Sequence, residues 1–427
     1  MTLRRVLPVL TALVLGFAGC TAPSASPETP GPTPSPSPTG PSSATPTPSA
    51  SPSATPVPEG ESCAVVIDRL TPEEQIGQLF MVGKTSTEPV TDDYRQTLTD
   101  AHIGNVVLLG NSRDGVIRTK ELNEALRAAA VQPQGVGLFI AVDQEGGQVQ
   151  RLQGPGFDTM PAARVQANRP VPELERSAHH WGQQLALAGV DVNLTPVADV
   201  VPAERVAENA PIGQLERQYG ETVEDVSPRV AAMVRGMAEA GLATSVKHFP
   251  GLGHVTGNTD FSGNVVDTSV GRDDPGLAAF IEGINAGADM VMIATASYDR
   301  IDPGVPAAFS PVVIDGMLRS DLGFDGVVIS DDLGAAQQVA DVPPGERAVR
   351  FLAAGGDIVI NGDPLLQAEM TRAVEERAAS DPAFAEEIRT KVTRVVVMKA
   401  KHGAVNCQLE QPDQAEQTDQ PEGDQPG

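Results

Sequence analysis

Aromatic side chains are scarce, at 4% of 427 residues with a single tryptophan. So few flat apolar faces leave little from which to build a long stacking groove for extended polysaccharide, and a short polar pocket fits better. Cationic residues are also in deficit. Lys and Arg number 30 against 56 Asp and Glu, a formal charge of -26 that repels nucleic-acid phosphates and anionic lipid head groups. A nucleic-acid partner is therefore not expected. Long apolar runs are missing too, since the stretch from Val6 to Ala18 is too short to span a bilayer comfortably. What is present in quantity is a 40% hydrophobic content, enough for one large core or two modest ones.

The two ends differ in composition from the middle. Arg4 and Arg5, the apolar run and Gly19-Cys20 read as an export signal over residues 1–19. Phe17-Ala18-Gly19-Cys20 resembles a bacterial lipobox, with Phe where Leu is usual. That resemblance implies cleavage before Cys20 and lipidation of its thiol and new amino group; a secretory signal with an incidental Cys is the alternative. Several acyl chains would anchor firmly, at about 0.8 kcal/mol per buried methylene. Residues 20–60 continue almost entirely in Pro, Ser, Thr and Ala, which cannot bury enough apolar surface to offset chain ordering. Such a tether reaches up to about 120 Å at about 3.1 Å per residue. Residues 408–427 are rich in Gln, Asp, Glu and Pro and read as a disordered acidic tail. The folded domain is expected over 61–407, exported and held at the outer membrane face by the lipid alone.

Within it, eight short runs rich in Val, Ile, Leu and Met recur between amphipathic stretches. They are Leu79 to Val82, Asn105 to Leu109, Leu138 to Val142, Asp191 to Val197, Ala243 to Lys247, Met290 to Ala294, Gly326 to Ser330 and Asp357 to Asn361. Several lack polar alternation, as parallel strands buried on both faces do. The expected fold is an α/β (β/α)8 TIM barrel in a single catalytic domain, with a doubly wound sheet as the alternative. Asp143, Asp199, Lys247 with His248, Thr295, Asp331 and Asn361 all fall at or just past the carboxyl end of a run, where barrel enzymes place their chemistry. No glycine-rich phosphate loop follows the first run, so a dinucleotide fold has no support.

Three segments concentrate polar chemistry. In Gly326-Val-Val-Ile-Ser-Asp-Asp-Leu333 an apolar strand carries Asp331 to the barrel mouth, while Asp332 is expected to turn away and cap the following element. In Val142-Asp-Gln-Glu-Gly-Gly-Gln-Val-Gln-Arg151 two glycines let the backbone turn tightly, and Asp143 and Arg151 can reach sugar hydroxyls. In Val246-Lys-His-Phe-Pro-Gly-Leu-Gly253 a strand ends in Lys and His and breaks into a loop. A lone histidine such as His248 is more often packed and hydrogen-bonded than catalytic.

Together with Leu70-Thr-Pro-Glu-Glu-Gln-Ile-Gly-Gln-Leu-Phe-Met-Val-Gly83 and Asn193-Leu-Thr-Pro-Val-Ala-Asp199, these segments resemble the family 3 glycoside hydrolases, in particular their single-barrel β-N-acetylglucosaminidase branch. By that resemblance Asp331 matches the nucleophile, and Asp143, Arg151, Lys247 and His248 match residues that hold the terminal sugar. Arg217, in Ile212-Gly-Gln-Leu-Glu-Arg-Gln-Tyr219, looks like a further binder despite two extra residues in the motif. The resemblance implies an exo-acting, retaining β-N-acetylhexosaminidase acting on peptidoglycan-derived glycans, with no metal and no cofactor. Too few residues follow the last strand to build a second domain, so the barrel's own loops must complete the site.

One loop departs from the family pattern. Where the branch carries His, then an Asp and His dyad that protonates the leaving group, this chain has Leu252, Asn258 and Asp260. Asn258 cannot titrate but Asp260 can, which makes Asp260 the candidate acid/base and His254 the weaker one, with loop capping by Asp260 as the structural alternative. The departure keeps open a non-catalytic wall-binding lipoprotein, and a β-glucosidase-type family 3 hydrolase is a further alternative. Finally, Cys63 and Cys407 flank the barrel in an oxidising compartment, and in a closed barrel the first and last units are neighbours. A disulfide between them is expected, against two free thiols as the alternative.

Overall fold

The structure is a computed structural model that describes residues 61–408, so the expected export signal, Cys20, the Pro/Ser/Thr-rich stretch and the tail from residue 409 lie outside the described residues. Eight parallel strands close into a barrel in chain order: β1 (Phe80–Thr85), β2 (Asn105–Leu109), β3 (Phe139–Val142), β4 (Val192–Asn193), β5 (Ala243–Phe249), β6 (Met290–Ile293), β7 (Val327–Asp332) and β8 (Ile358–Asn361). Closure runs between first and last, with Phe80 opposite Val359 and Met81 opposite Ile360. All four residues of β3 and all seven of β5 are buried, because side chains on one face fill the barrel and those on the other pack under helices.

Each apolar run of the sequence becomes a strand, with informative differences at the ends. β1 continues through Lys84 and Thr85, and β7 through Asp331 and Asp332, so polar residues carry the ladder to the mouth. β4 keeps only two residues of the expected seven. Pro196 has no N–H to give the ladder, and pairing resumes only as a bridge between Val197 and Lys247. Asn193 compensates with its side chain, which accepts from Gln144 N at 3.0 Å and donates to Gln144 O at 3.1 Å.

The outer helices follow from local signals. Thr71-Pro-Glu-Glu74 starts one with a capping box, in which Glu74 N donates to the Thr71 hydroxyl and Thr71 N to the Glu74 carboxylate at 2.9 Å. The helix Val171–Leu187 buries Leu174, Ala178, Trp181, Gly182 and Leu185, a stripe at helical spacing. It packs on the helix Val223–Glu239, and a Cβ on Gly236 would run into the carbonyl of Glu175.

Cys63 and Cys407 are joined by a disulfide that spans 344 residues with a Cα–Cα distance of 4.9 Å. Beside it Cys63 N donates to Gln408 O at 3.1 Å and Gln408 N to Glu61 O at 2.9 Å, so Gln408, expected to open the tail, pairs with the start of the domain instead. In the chain-entropy picture so long a loop contributes up to about 5 to 6 kcal/mol. On the amino-terminal face the buried amine of Lys399 donates to Gln78 Oε1, Gly104 O and Gly137 O, tying the last helix to the segments that lead into β1, β2 and β3. The opposite face, at the carboxyl ends of the strands, is free to carry the site.

Candidate active site

The hairpin that follows β3 aims an acid inward. Gly146 and Gly147 take φ values of 107° and 57°, and a Cβ on Gly146 would strike the Pro161 carbonyl, so this turn needs glycine. The turn delivers Glu145 into the wall of the barrel mouth, where Arg217 grips it at 2.8 Å through both Nε and Nη2. Lys247, at the end of β5, adds a third contact to Glu145 at 2.7 Å and reaches Asp143 at 2.6 Å. Burial alone would raise the pKa of Glu145, but Arg217 and then Lys247 outweigh it and hold the carboxyl well below the usual range. Burial likewise opposes the charge on Lys247, yet Asp143 and Glu145 raise its pKa. The result is a fixed array of opposite charges that needs no rearrangement when a polar ligand arrives.

His248 is oriented from behind. Asp199, fully buried, sits 2.8 Å from His248 Nδ1 through one oxygen and accepts from Leu252 N at 2.7 Å through the other. With Nδ1–H donating to Asp199, Nε2 is left on the side of Arg217, 3.3 Å from Nη2. This is the packed and hydrogen-bonded histidine of the sequence reading, but its outer edge lines the cavity.

On β7 the paired acids divide their roles. Asp332 Oδ1 accepts from Gly334 N at 2.8 Å, Ala335 N at 3.1 Å and Gly362 N at 2.9 Å, so it ties the loops after β7 and β8 together. Asp331 accepts only from Asp332 N, at 2.9 Å, among the described residues, and its carboxyl stays available at the mouth. Burial pushes the Asp331 carboxyl up, His248 draws it back, and Asp260 pushes it up again.

These residues enclose a cavity of about 300 Å³, at the small end of ligand pockets and close to the size of a single sugar ring. Asp143, Arg151, Arg217, Lys247, His248, Asp260 and Asp331 all line it. Arg151 donates to Asn111 at 3.3 Å, while its buried Nε has no partner among the described residues, leaving capacity for a ligand.

Asp260 enters from a loop over the mouth. Its N–H donates to Asn258 Oδ1 at 2.9 Å, and Asn258 O accepts from Phe261 N and Ser262 N, so the residue at the family's dyad Asp serves as a turn former. The segment after β7 clamps this loop, with Gln338 N donating to Thr259 O at 3.1 Å and the Gln338 amide pairing with Val265 N at 2.7 Å. One side of Asp260 meets solvent and the other faces the cavity. Burial there raises its pKa against Arg217 and His248, with Asp332 and Asp143 adding to the rise.

His254, the weaker acid/base candidate, does not line this cavity. It lines a separate cleft with Pro250, Gly251 and Phe280. The cause is local: Asp199 pins Leu252 N inward, Leu252 itself lines the mouth, and a Cβ on Gly253 would strike the Val200 carbonyl, so the chain turns outward at the next residue. Of the other strand-end residues, Asn361 donates to Gln367 at 3.0 Å and Thr295 is buried outside the cavity lining. Two acids central to the site carried no assigned role in the sequence, Glu145 and Asp199. The signal for Glu145 was an acid followed by two glycines; for Asp199 it was position at a strand end.

Comparison with known proteins agrees with this geometry. The chain is 35% identical over 324 residues to a beta-hexosaminidase of Stenotrophomonas maltophilia, covering 72% of this chain and 90% of that protein. Among solved structures, a beta-N-acetylhexosaminidase from Beutenbergia cavernae superposes with a TM-score of 0.76 at 44% identity, over 78% of this chain and 99% of that one. A glycoside hydrolase family 3 beta-N-acetylglucosaminidase from a Paenibacillus species superposes with a TM-score of 0.70 at 29% identity, over 81% of this chain and 65% of that one. The family model described as the glycosyl hydrolase family 3 N terminal domain matches residues 71–398, nearly the whole barrel with its strand-end acids, and the chain belongs to that family.

Proposed function

We propose that this protein is an exo-acting, retaining β-N-acetylhexosaminidase that removes terminal N-acetylglucosamine from cell-wall glycan fragments. The observation that carries the reading is a one-sugar cavity lined by two carboxyls from different elements, Asp331 at the end of β7 and Asp260 on the loop after β5. Asp331, as carboxylate, attacks the anomeric carbon while Asp260 gives its proton to the departing glycosidic oxygen. A covalent glycosyl-enzyme results. Water, deprotonated by Asp260, then attacks the same carbon and displaces Asp331, with net retention. Asp143, Arg151, Arg217, Lys247 and His248 hold the sugar hydroxyls, and their pre-set charges add little reorganisation cost as charge develops.

The named activities of the relatives support the sugar, and the sequence supports the place. An export signal, lipidation at Cys20 and a long Pro-rich tether would carry the barrel from the outer membrane face into the wall. The experiment is a panel of nitrophenyl glycosides. The β-N-acetylglucosaminide is expected to exceed the β-glucoside in kcat/KM by about 100-fold or more. The reverse order would make the protein a β-glucosidase, and silence on the whole panel would make it a non-catalytic wall-binding lipoprotein.

A further inference from the structure

The loop that bears Asp260 also bears Phe261, which is 80% exposed and lines the mouth of the cavity. Among the described residues it is the one aromatic among the exposed large apolar side chains. It is not a loose loop tip. Phe261 N donates to Asn258 O at 3.1 Å, and the flanking backbone is held by Gln337 N on Asp260 O and by the Gln338 contacts to Thr259 and Val265. A large apolar ring is thus presented to solvent from an anchored backbone, beside the group that handles the leaving oxygen.

We propose that Phe261 is the platform for the aglycone, stacking on the apolar face of the second pyranose of a β-linked N-acetylglucosaminyl disaccharide. The inference rests on the hexosaminidase reading and adds to it which part of the substrate is selected. If Asp260 protonates the glycosidic oxygen, whatever hangs from that oxygen leaves the cavity past the neighbouring residue. A pyranose offers a face of C–H bonds that covers an aromatic ring well, and the anchored loop has already lost the freedom that stacking would otherwise cost. Since Phe261 stands alone, the chain selects one ring beyond the scissile bond rather than a long strand.

The test compares two substrates whose leaving groups are both alkoxides that need Asp260: di-N-acetylchitobiose, which has a second ring, and methyl β-N-acetylglucosaminide, which has none. Phe261→Ala is expected to lower the ratio of kcat/KM for the disaccharide over the methyl glycoside about tenfold, mainly through the KM of the disaccharide. Phe261→Trp is expected to hold that ratio. Equal losses on both substrates would show that Phe261 only shapes the Asp260 loop, and no loss on either would show that it contacts nothing; each outcome overturns the platform. A parent protein inactive on every N-acetylglucosaminide would instead refute the activity, and the platform with it.

Discussion

Asp331→Asn lowers kcat/KM on every glycoside by on the order of 10⁴-fold or more, because the amide cannot form the glycosyl-enzyme bond. The fold should survive the change. Asp331 accepts one backbone hydrogen bond, from Asp332 N, and an amide oxygen can accept it equally well. The sign of the stability effect follows from its raised pKa, whose largest cause is burial. A carboxyl whose pKa is raised on folding costs the native state stability as pH climbs from the unfolded value up through the raised folded one. A neutral Asn escapes that cost, so at neutral pH the variant should melt at or above the temperature of the parent. Hydrolysis and thermal melting measured on one preparation separate the two effects. Activity close to that of the parent in a folded Asp331→Asn protein would remove Asp331 from the nucleophile role.

Asp260→Ala should split substrates by leaving group. General acid help is typically worth 10² to 10⁴-fold and matters most for poor leaving groups. Alkyl glycosides and disaccharides should therefore lose most of their turnover, while a dinitrophenyl glycoside keeps its first step and azide accelerates the second. The pH profile adds an independent check. The active form carries Asp331 ionised and Asp260 protonated, so the acid limb reports the first and the alkaline limb the second. Both carboxyls are raised from their ordinary values, chiefly by burial, which moves both limbs upward. Because the two groups interact, the limbs in the parent belong to the pair rather than to single residues. Removing Asp260 takes away the group that the alkaline limb reports, so that limb should flatten. Equal losses on both substrate types with the alkaline limb unmoved would dispose of Asp260 as the acid/base.

The barrel was legible in the sequence because its strands are buried on both faces. Val327, Val328 and Ile329 pack inward and outward alike, and such runs stand out from the amphipathic helices between them. Strand ends were less legible, since Lys84, Thr85, Asp331 and Asp332 extend ladders with residues that read as loop, and Pro196 cuts β4 short. Within the site, Asp143, Lys247 and Asp331 were marked by their place after an apolar run. Asp199 was marked in the same way but given no role, and Glu145 was given none either, because what gives these two acids meaning lies far along the chain. Arg217 is 72 residues from Glu145, and His248 is 49 from Asp199. His254 failed for the converse reason. Nearness in sequence to Asp260 says nothing of direction, and the Asp199 bond to Leu252 N turns the two residues to different clefts.

The central claim is that Asp331 forms a bond to the anomeric carbon. It is tested most directly by incubating the protein with 5-fluoro-N-acetylglucosaminyl fluoride, in which ring fluorination slows both steps while the fluoride leaving group lets the first proceed, followed by peptide mass spectrometry. The expected result is one glycosyl adduct per protein, carried by Asp331 in the peptide that contains Val327-Val-Ile-Ser-Asp-Asp332. An adduct on any other residue, or steady release of fluoride with none accumulating, would contradict it.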